Sequence, residues 1–135
     1  MIEHKRIFIN GQWVESEAVE SIAVVNPATE DIVAWVPSGG ENDVHRAAQA
    51  ASAAFDSWSR SPIAERVEIF RKMARLTEAR ADEITRSIVT ELGYPITWAA
   101  KSQTAGAVEE LEIIAKTLQQ IAWTEQVGNT QVSRC

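Results

Sequence analysis

The sequence predicts an α+β fragment in which N-terminal antiparallel hairpins are followed by three to four amphipathic helices. Three observations predict it. Short β-prone runs punctuated by Asn-Gly and Asn-Pro fill residues 1–37. Apolar side chains then recur at steps of three and four across residues 41–123. The composition, 45% hydrophobic and 24% charged, is that of a folded chain rather than a disordered one.

The strands come first. Ile7-Phe8-Ile9-Asn10-Gly11-Gln12-Trp13-Val14 sets Asn-Gly between two β-prone runs, and both turn residues tolerate positive φ, so a tight hairpin is expected. Ser21 to Val25 and Asp31 to Val36 are β-rich again, separated by Asn26-Pro27-Ala28-Thr29-Glu30, where Pro27 fixes φ and removes a donor. The expectation is four short strands in an antiparallel run, which need a helix layer on one face.

Pro37-Ser38-Gly39-Gly40 leads into a helix over about Glu41 to Trp58. Val44, Ala47, Ala48, Ala51, Phe55 and Trp58 share one face, and the alanines imply close approach of another helix. The central stretch, Ser61 to Leu92, reads as one long helix or two end to end. Ser61 is placed to cap it, Pro62 suits its first position, and Glu65 sits where the dipole favours an anion. Ile63, Val67, Phe70, Ala74, Thr77, Ala81, Ile84, Ile88 and Leu92 form its apolar stripe. A break falls near Arg80, with Asp82 as the second cap, and Gly93 with Pro95 ends the segment. Pro95 opens a further helix to about Trp123, with Gln103 and Gly106 beside its stripe favouring packing on the other helices over a coiled-coil seam. Gly128-Asn129 breaks the pattern, and residues 130–135 read as a strand that stops as it begins.

At 135 residues the chain has room for one modest domain. A net charge of −6 gives no basic patch for nucleic acid. No apolar run approaches the roughly 18 residues of a bilayer-spanning helix. The N-terminus MIEHKRIFIN lacks the apolar core and small-residue cleavage site of a leader, so the expectation is a cytoplasmic protein without a membrane partner.

The residues offer little chemistry. His4 falls in a terminus expected to be mobile and His45 on an exposed helical turn, so both read as solvated side chains rather than bases. Cys135, the only cysteine, stands at the last position without the electropositive surroundings that lower a thiol pKa. Two histidines without H-x-x-x-H suggest no metal site. Glu109, Glu110 and Glu112 read as a solvated acidic surface. Ser38-Gly39-Gly40 before a helix could cradle a phosphate, but Glu41 and Asp43 already occupy that positive end and no G-x-G-x-x-G spacing is present, so it reads as a plain turn.

Five segments carry a resemblance. They are F-I-N-G-Q-W-V at Phe8 to Val14, V-N-P-A-T at Val25 to Thr29, D-V-H-R-A-A-Q-A-A-S-A-A-F-D-S-W at Asp43 to Trp58, A-E-R at Ala64 to Arg66, and T-E-L-G-Y-P at Thr90 to Pro95. Each alone is weak; in this order and spacing they resemble the N-terminal part of the aldehyde dehydrogenase superfamily across nearly the whole chain. The resemblance implies part of an α/β NAD-binding domain, from an enzyme that oxidises an aldehyde to a carboxylic acid with NAD or NADP and is usually a dimer or tetramer. It divides residues 1–135 into hairpins (1–37), helices (41–123) and the start of a strand (130–135).

The resemblance also implies what the chain lacks. The family's proline-tryptophan-asparagine segment, cofactor-binding lysine and glycine motif, general-base glutamate and nucleophilic cysteine lie downstream and have no counterpart here. No catalytic and no cofactor-binding residue is therefore expected. Arg134 matches the arginine of the family's R-E-P-V-G-V, so Cys135 is not the nucleophile. Tyr94, where the family often has lysine, and Glu30, where it often has glycine, are departures. Some members hold a monovalent cation with a backbone carbonyl just before N-P and an acidic side chain just before G-K-P. These map to Val25 and Glu91, an incomplete oxygen set, and Glu91 has the simpler reading of a solvated acid at a helix end. The resemblance thus implies an inert portion of a dehydrogenase whose apolar helix faces meet the rest of such an enzyme or self-associate. The alternatives are a helical module that pairs with full-length subunits, and a small Cys135-dependent enzyme.

Overall fold

The computed structural model describes residues 2–133. Its strands are β1 (Ile2–Glu3), β2 (Arg6–Ile9), β3 (Gln12–Glu15), β4 (Ser21–Val25), β5 (Ile32–Pro37), β6 (Thr124–Val127) and β7 (Thr130–Ser133). Its helices are α1 (Glu41–Ser59), α2 (Ile63–Ala79), α3 (Ala81–Leu92), α4 (Ile96–Trp98) and α5 (Ala105–Gln120), with a π-helical segment, Ala99–Thr104, joining the last two. The architecture is the expected one, antiparallel hairpins followed by helices.

Asn10 and Gly11 take φ of 52° and 75°, the pair of positive angles a two-residue hairpin turn demands. β2 and β3 therefore pair with Ile7 opposite Val14 and Phe8 opposite Trp13, whose rings meet edge to face at 5.4 Å. β4 and β5 form the second hairpin around Asn26–Asp31, with Ile22 opposite Val36.

The four strands do not form one antiparallel run. β2–β3 is a sheet of its own, and β4–β5 belongs to a mixed three-stranded sheet, ordered β1-β5-β4, in which β1 lies parallel to β5. The N-terminus is anchored where mobility was expected, because the backbone N–H of His4 donates to Trp35 O at 2.9 Å and satisfies a group on the edge of β5.

α1 follows the expected span, and part of its alanine face lies beside the β2–β3 turn. Ala47, Ala50, Ala51 and Ala54 line a shallow groove with Phe8 to Gly11 of the β2–β3 turn. The small side chains leave room for the strand turn.

The core lies between α2 and α5, where Val67 and Ala74 of one helix and Ala115 of the other are buried. The predicted break falls at Arg80, whose φ of −111° and ψ of 19° separate α2 from α3. Two caps differ from expectation. Pro62, not Ser61, is the N-cap of α2; the Ser61 hydroxyl turns back to donate to Trp58 O at 2.7 Å. Arg80 precedes α3, leaving Asp82 in its first turn with Glu83. Arg66 ties this corner together: its Nε donates to Ser61 Oγ at 2.9 Å, its Nη2 to Trp58 O at 2.8 Å and Ser59 O at 2.9 Å, and its guanidinium lies 5.2 Å from the Trp58 ring. These bonds satisfy carbonyls that the end of α1 leaves without helical partners.

The last helix is not uniform. Across Ala99–Thr104 the ladder opens by one residue, Ala105 N–H reaching Ala100 O, and both Ala99 and Thr104 turn inward. Thr104 Oγ1 meets Thr85 Oγ1 of α3 at 2.8 Å in a buried polar pair. α5 stops at Gln120 rather than Trp123, because Ile121 is extended and starts the approach to β6. Gly128-Asn129 is then a hairpin turn between β6 and β7, with Val127 opposite Thr130. Thr130–Ser133 is the last strand of the described residues; of the expected strand start at 130–135, Arg134 and Cys135 lie outside them.

Two substitutions test this packing. Ala74→Leu forces extra volume into the α2–α5 seam and is expected to lower the unfolding free energy by about 1–3 kcal/mol in urea denaturation. Arg66→Lys keeps the charge but not the planar fork, so a loss of about 1 kcal/mol is expected in the same assay.

Candidate functional site

Two places gather polar side chains. The first is Asp43, only 3% exposed, in the first turn of α1. Its carboxylate accepts from Ser16 Oγ at 2.6 Å, Gly40 N–H at 3.0 Å, Glu17 N–H at 3.3 Å and Arg46 Nη2 at 2.9 Å. The Ser16 hydroxyl most of all, then the Gly40 N–H, hold its pKa down to about 2 against the opposing cost of burial, with Glu17 N–H and Arg46 adding to the shift. The sequence put Asp43 at the helix start; it did not reveal Ser16, twenty-seven positions away, as its partner. The geometry makes this node a brace between the β3 end and α1. It also closes the Ser38-Gly39-Gly40 turn to an anion, since Asp43 accepts the Gly40 N–H that a phosphate would need.

The second is a cleft of about 540 Å³ between β4 and α3, with Val24, Ile84, Ile88 and Leu92 lining it and Arg80, Glu83 and Glu91 among its polar residues. Arg80 grips Glu83 with two bonds, 2.8 and 2.6 Å, which lowers the Glu83 pKa. The mapped pair Val25 and Glu91 belongs to this neighbourhood: Glu91 lines the cleft, while Val24 rather than Val25 faces it. The two segments meet through Gly93, whose φ of +69° closes α3 and where a Cβ would lie 2.6 Å from Pro27 Cγ. Among the described residues no three His, Cys, Asp or Glu side chains cluster for a metal ion.

The remaining candidates stay apart. His4 is exposed in the link between β1 and β2, His45 is exposed on α1, and Glu109, Glu110 and Glu112 are exposed on α5. Cys135 lies outside the described residues. No described helix is long and apolar enough to cross a membrane.

Comparison with known proteins identifies the setting. The profile of the aldehyde dehydrogenase family matches residues 13–134. The chain belongs to the aldehyde dehydrogenase family. It is 34% identical over 135 residues to a 3-succinoylsemialdehyde-pyridine dehydrogenase of a Pseudomonas species, covering 99% of this chain and 28% of the relative. It is 39% identical over 117 residues to a malonate-semialdehyde dehydrogenase of Bacillus cereus, covering 85% of this chain and 24% of the relative. Among solved structures, aldehyde dehydrogenase C of Pseudomonas syringae, in complex with NAD+ and octanal, superposes with a TM-score of 0.93 at 35% identity over 96% of this chain and 27% of that one. An aldehyde dehydrogenase of Mycobacterium tuberculosis with NAD+ gives a TM-score of 0.88 at 30% identity, covering 96% of this chain and 28% of that one. The chain thus spans under a third of the length of these dehydrogenases.

Two experiments address the joints of this aldehyde dehydrogenase chain. Asp43 has its carboxyl pKa lowered from 3.8 to about 2, so its contribution to stability is fully present above about pH 4 and is lost as pH falls towards 2. Asp43→Asn is expected to lower the melting temperature at neutral pH and to flatten the pH dependence of stability within that window, read by circular dichroism. Gly93→Ala places a side chain at positive φ against Pro27 and is expected to cost about 2 kcal/mol or more in chemical denaturation.

Proposed function

We propose that this chain is the N-terminal segment of an NAD(P)-dependent aldehyde dehydrogenase that oxidises an aldehyde to a carboxylic acid, acts in the cytoplasm, and is inactive as the isolated 135-residue polypeptide. The observation that carries the reading is the match of nearly the whole chain to about a quarter of a solved dehydrogenase. Its residues supply a brace at Asp43, a clamp at Arg66 and a joint at Pro27 and Gly93. None of these is a nucleophile, a base or a phosphate cradle, so the segment supports the placement of a cofactor domain and takes no NAD or NADP itself. The Val25 carbonyl and Glu91 would add two oxygens to a monovalent-cation site completed by other parts of the enzyme; their sequence segments converge at the Pro27–Gly93 contact.

The test is direct. Purified chain mixed with NAD or NADP and octanal is expected to form no reduced cofactor above the no-enzyme rate, followed by absorbance. Sustained reduction that Cys135→Ser abolishes would overturn the reading in favour of an independent enzyme. In its own cells, an antibody to residues 8–58 is expected to capture a polypeptide of about 50 kDa, roughly three to four times this length.

A further inference from the structure

The tip of the β2–β3 hairpin holds a carboxamide beside an amide nitrogen that can attack it. Asn10 and Gly11 are both exposed, at φ of 52° and 75°. Among the described residues, neither the Asn10 side chain nor the Gly11 N–H has a hydrogen-bond partner. Ala47, Ala50, Ala51 and Ala54 of α1 flank the tip, and no titratable side chain lines the groove between them. A bond from the Gly11 nitrogen to Asn10 Cγ would close a five-membered succinimide ring.

Ring closure requires that nitrogen to come round beside Asn10 Cβ, and the turn controls whether it does. Positive φ at both positions makes a type I′ turn, in which ψ of the first residue is about +30° and the nitrogen points away from the side chain. Type II′, the other favoured two-residue hairpin turn, keeps the first φ and sets its ψ to about −120°, which aligns the nitrogen with Cβ. The two turns differ by a flip of the peptide plane between Asn10 and Gly11. Gly11 permits the flip, because glycine takes φ of either sign and nothing stands within 4 Å of where its Cβ would be. The pairing of Ile9 with Gln12 is common to both turns. The other asparagines lack this combination. Asn26 precedes Pro27, which has no N–H, and Asn42 is held at helical ψ inside α1. Asn129 precedes Thr130, whose branched Cβ crowds the nitrogen.

We propose that Asn10 is a site of self-modification, at which the Gly11 nitrogen displaces ammonia and the turn becomes aspartate or isoaspartate. Hydroxide takes the Gly11 amide proton, the nitrogen bonds to Asn10 Cγ, and the Cγ–Nδ2 bond breaks. The nitrogen that leaves takes a proton from water and departs as ammonia, which restores the hydroxide. Water then opens the ring at either carbonyl, with no oxidation or reduction. Both products add a negative charge at the tip. Isoaspartate also routes the main chain through Cβ, which makes it one atom too long for a two-residue turn. The register that sets Phe8 opposite Trp13 is lost in that product, and with it their edge-to-face contact at 5.4 Å.

The experiment incubates the folded chain in mildly alkaline buffer across a series of guanidinium chloride concentrations and follows the peptide carrying residues 7–14 by mass spectrometry. The expected result is a mass gain matching the exchange of NH for O, with ammonia released in step and a rate proportional to hydroxide. Isoaspartate, detected by its methylation with an isoaspartyl methyltransferase, is expected together with a product that co-elutes with the Asn10→Asp variant on anion exchange. The rate is expected to stay flat in denaturant up to the unfolding transition and to rise about 5–150-fold beyond it, because the flip holds a non-glycine residue in a sparsely populated conformation. A peptide that keeps its mass in the folded chain overturns the site, and so does earlier loss of ammonia from Asn26, Asn42 or Asn129. Aspartate without isoaspartate overturns attack by the Gly11 nitrogen. A rate that climbs with denaturant from the lowest concentration overturns the turn flip, since the reaction then runs through the unfolded chain.

Discussion

The packing of α2 on α5 is the contact on which the rest of this structure depends. Val67, Ala74 and Ala115 are the buried apolar side chains at that seam, and their small size lets the two helices approach closely enough to exclude water. α3 is attached to the same unit through the Thr85–Thr104 hydroxyl pair, which needs the π-helical opening of the last helical rod to turn Thr104 inward. The Arg66 clamp fixes the end of α1 onto the start of α2, and Asp43 fixes the start of α1 onto the strands. Each attachment is local and polar, and each presupposes that the seam holds its helix in place.

The segments that carry the family resemblance sit at these attachments. Asn26 accepts the Ala28 N–H and shapes the turn that presents Pro27 to Gly93. Arg66 holds three oxygens around the α1–α2 corner. Asp43 gathers four donors at the opening of α1. Such positions tolerate few residue types, because a left-handed glycine, a planar five-donor fork and a short carboxylate have no close substitutes. The chain can for that reason be recognised by its motifs.

Several large apolar side chains of the helices, among them Ile69, Met73, Leu76 and Ile113, stand exposed, and Trp13, Trp58 and Trp98 are exposed with them. The hydrophobic periodicity therefore marks two kinds of face: one that this chain buries within itself, and one that it leaves exposed.

The sequence by itself determined the elements whose cause is local. Asn10-Gly11 set a hairpin because both residues accept positive φ, Gly93 ended α3 for the same reason, and the three- and four-residue recurrence placed α1 to α3 within a residue or two. Five motifs in order fixed the family. The tertiary structure alone decided whatever depended on partners distant in the chain. Ile2–Glu3 became a strand because β5 had an edge to satisfy, and Ser16 became a ligand of Asp43 across twenty-seven positions. Ser61 gave up its capping role to the carbonyl of Trp58. Thr124–Val127, polar and short, became a strand because Thr130–Ser133 folds back on it. The division has one physical reason. Backbone angles and apolar period are properties of neighbouring residues, whereas hydrogen-bond partners and the burial of a face belong to segments that only folding brings together.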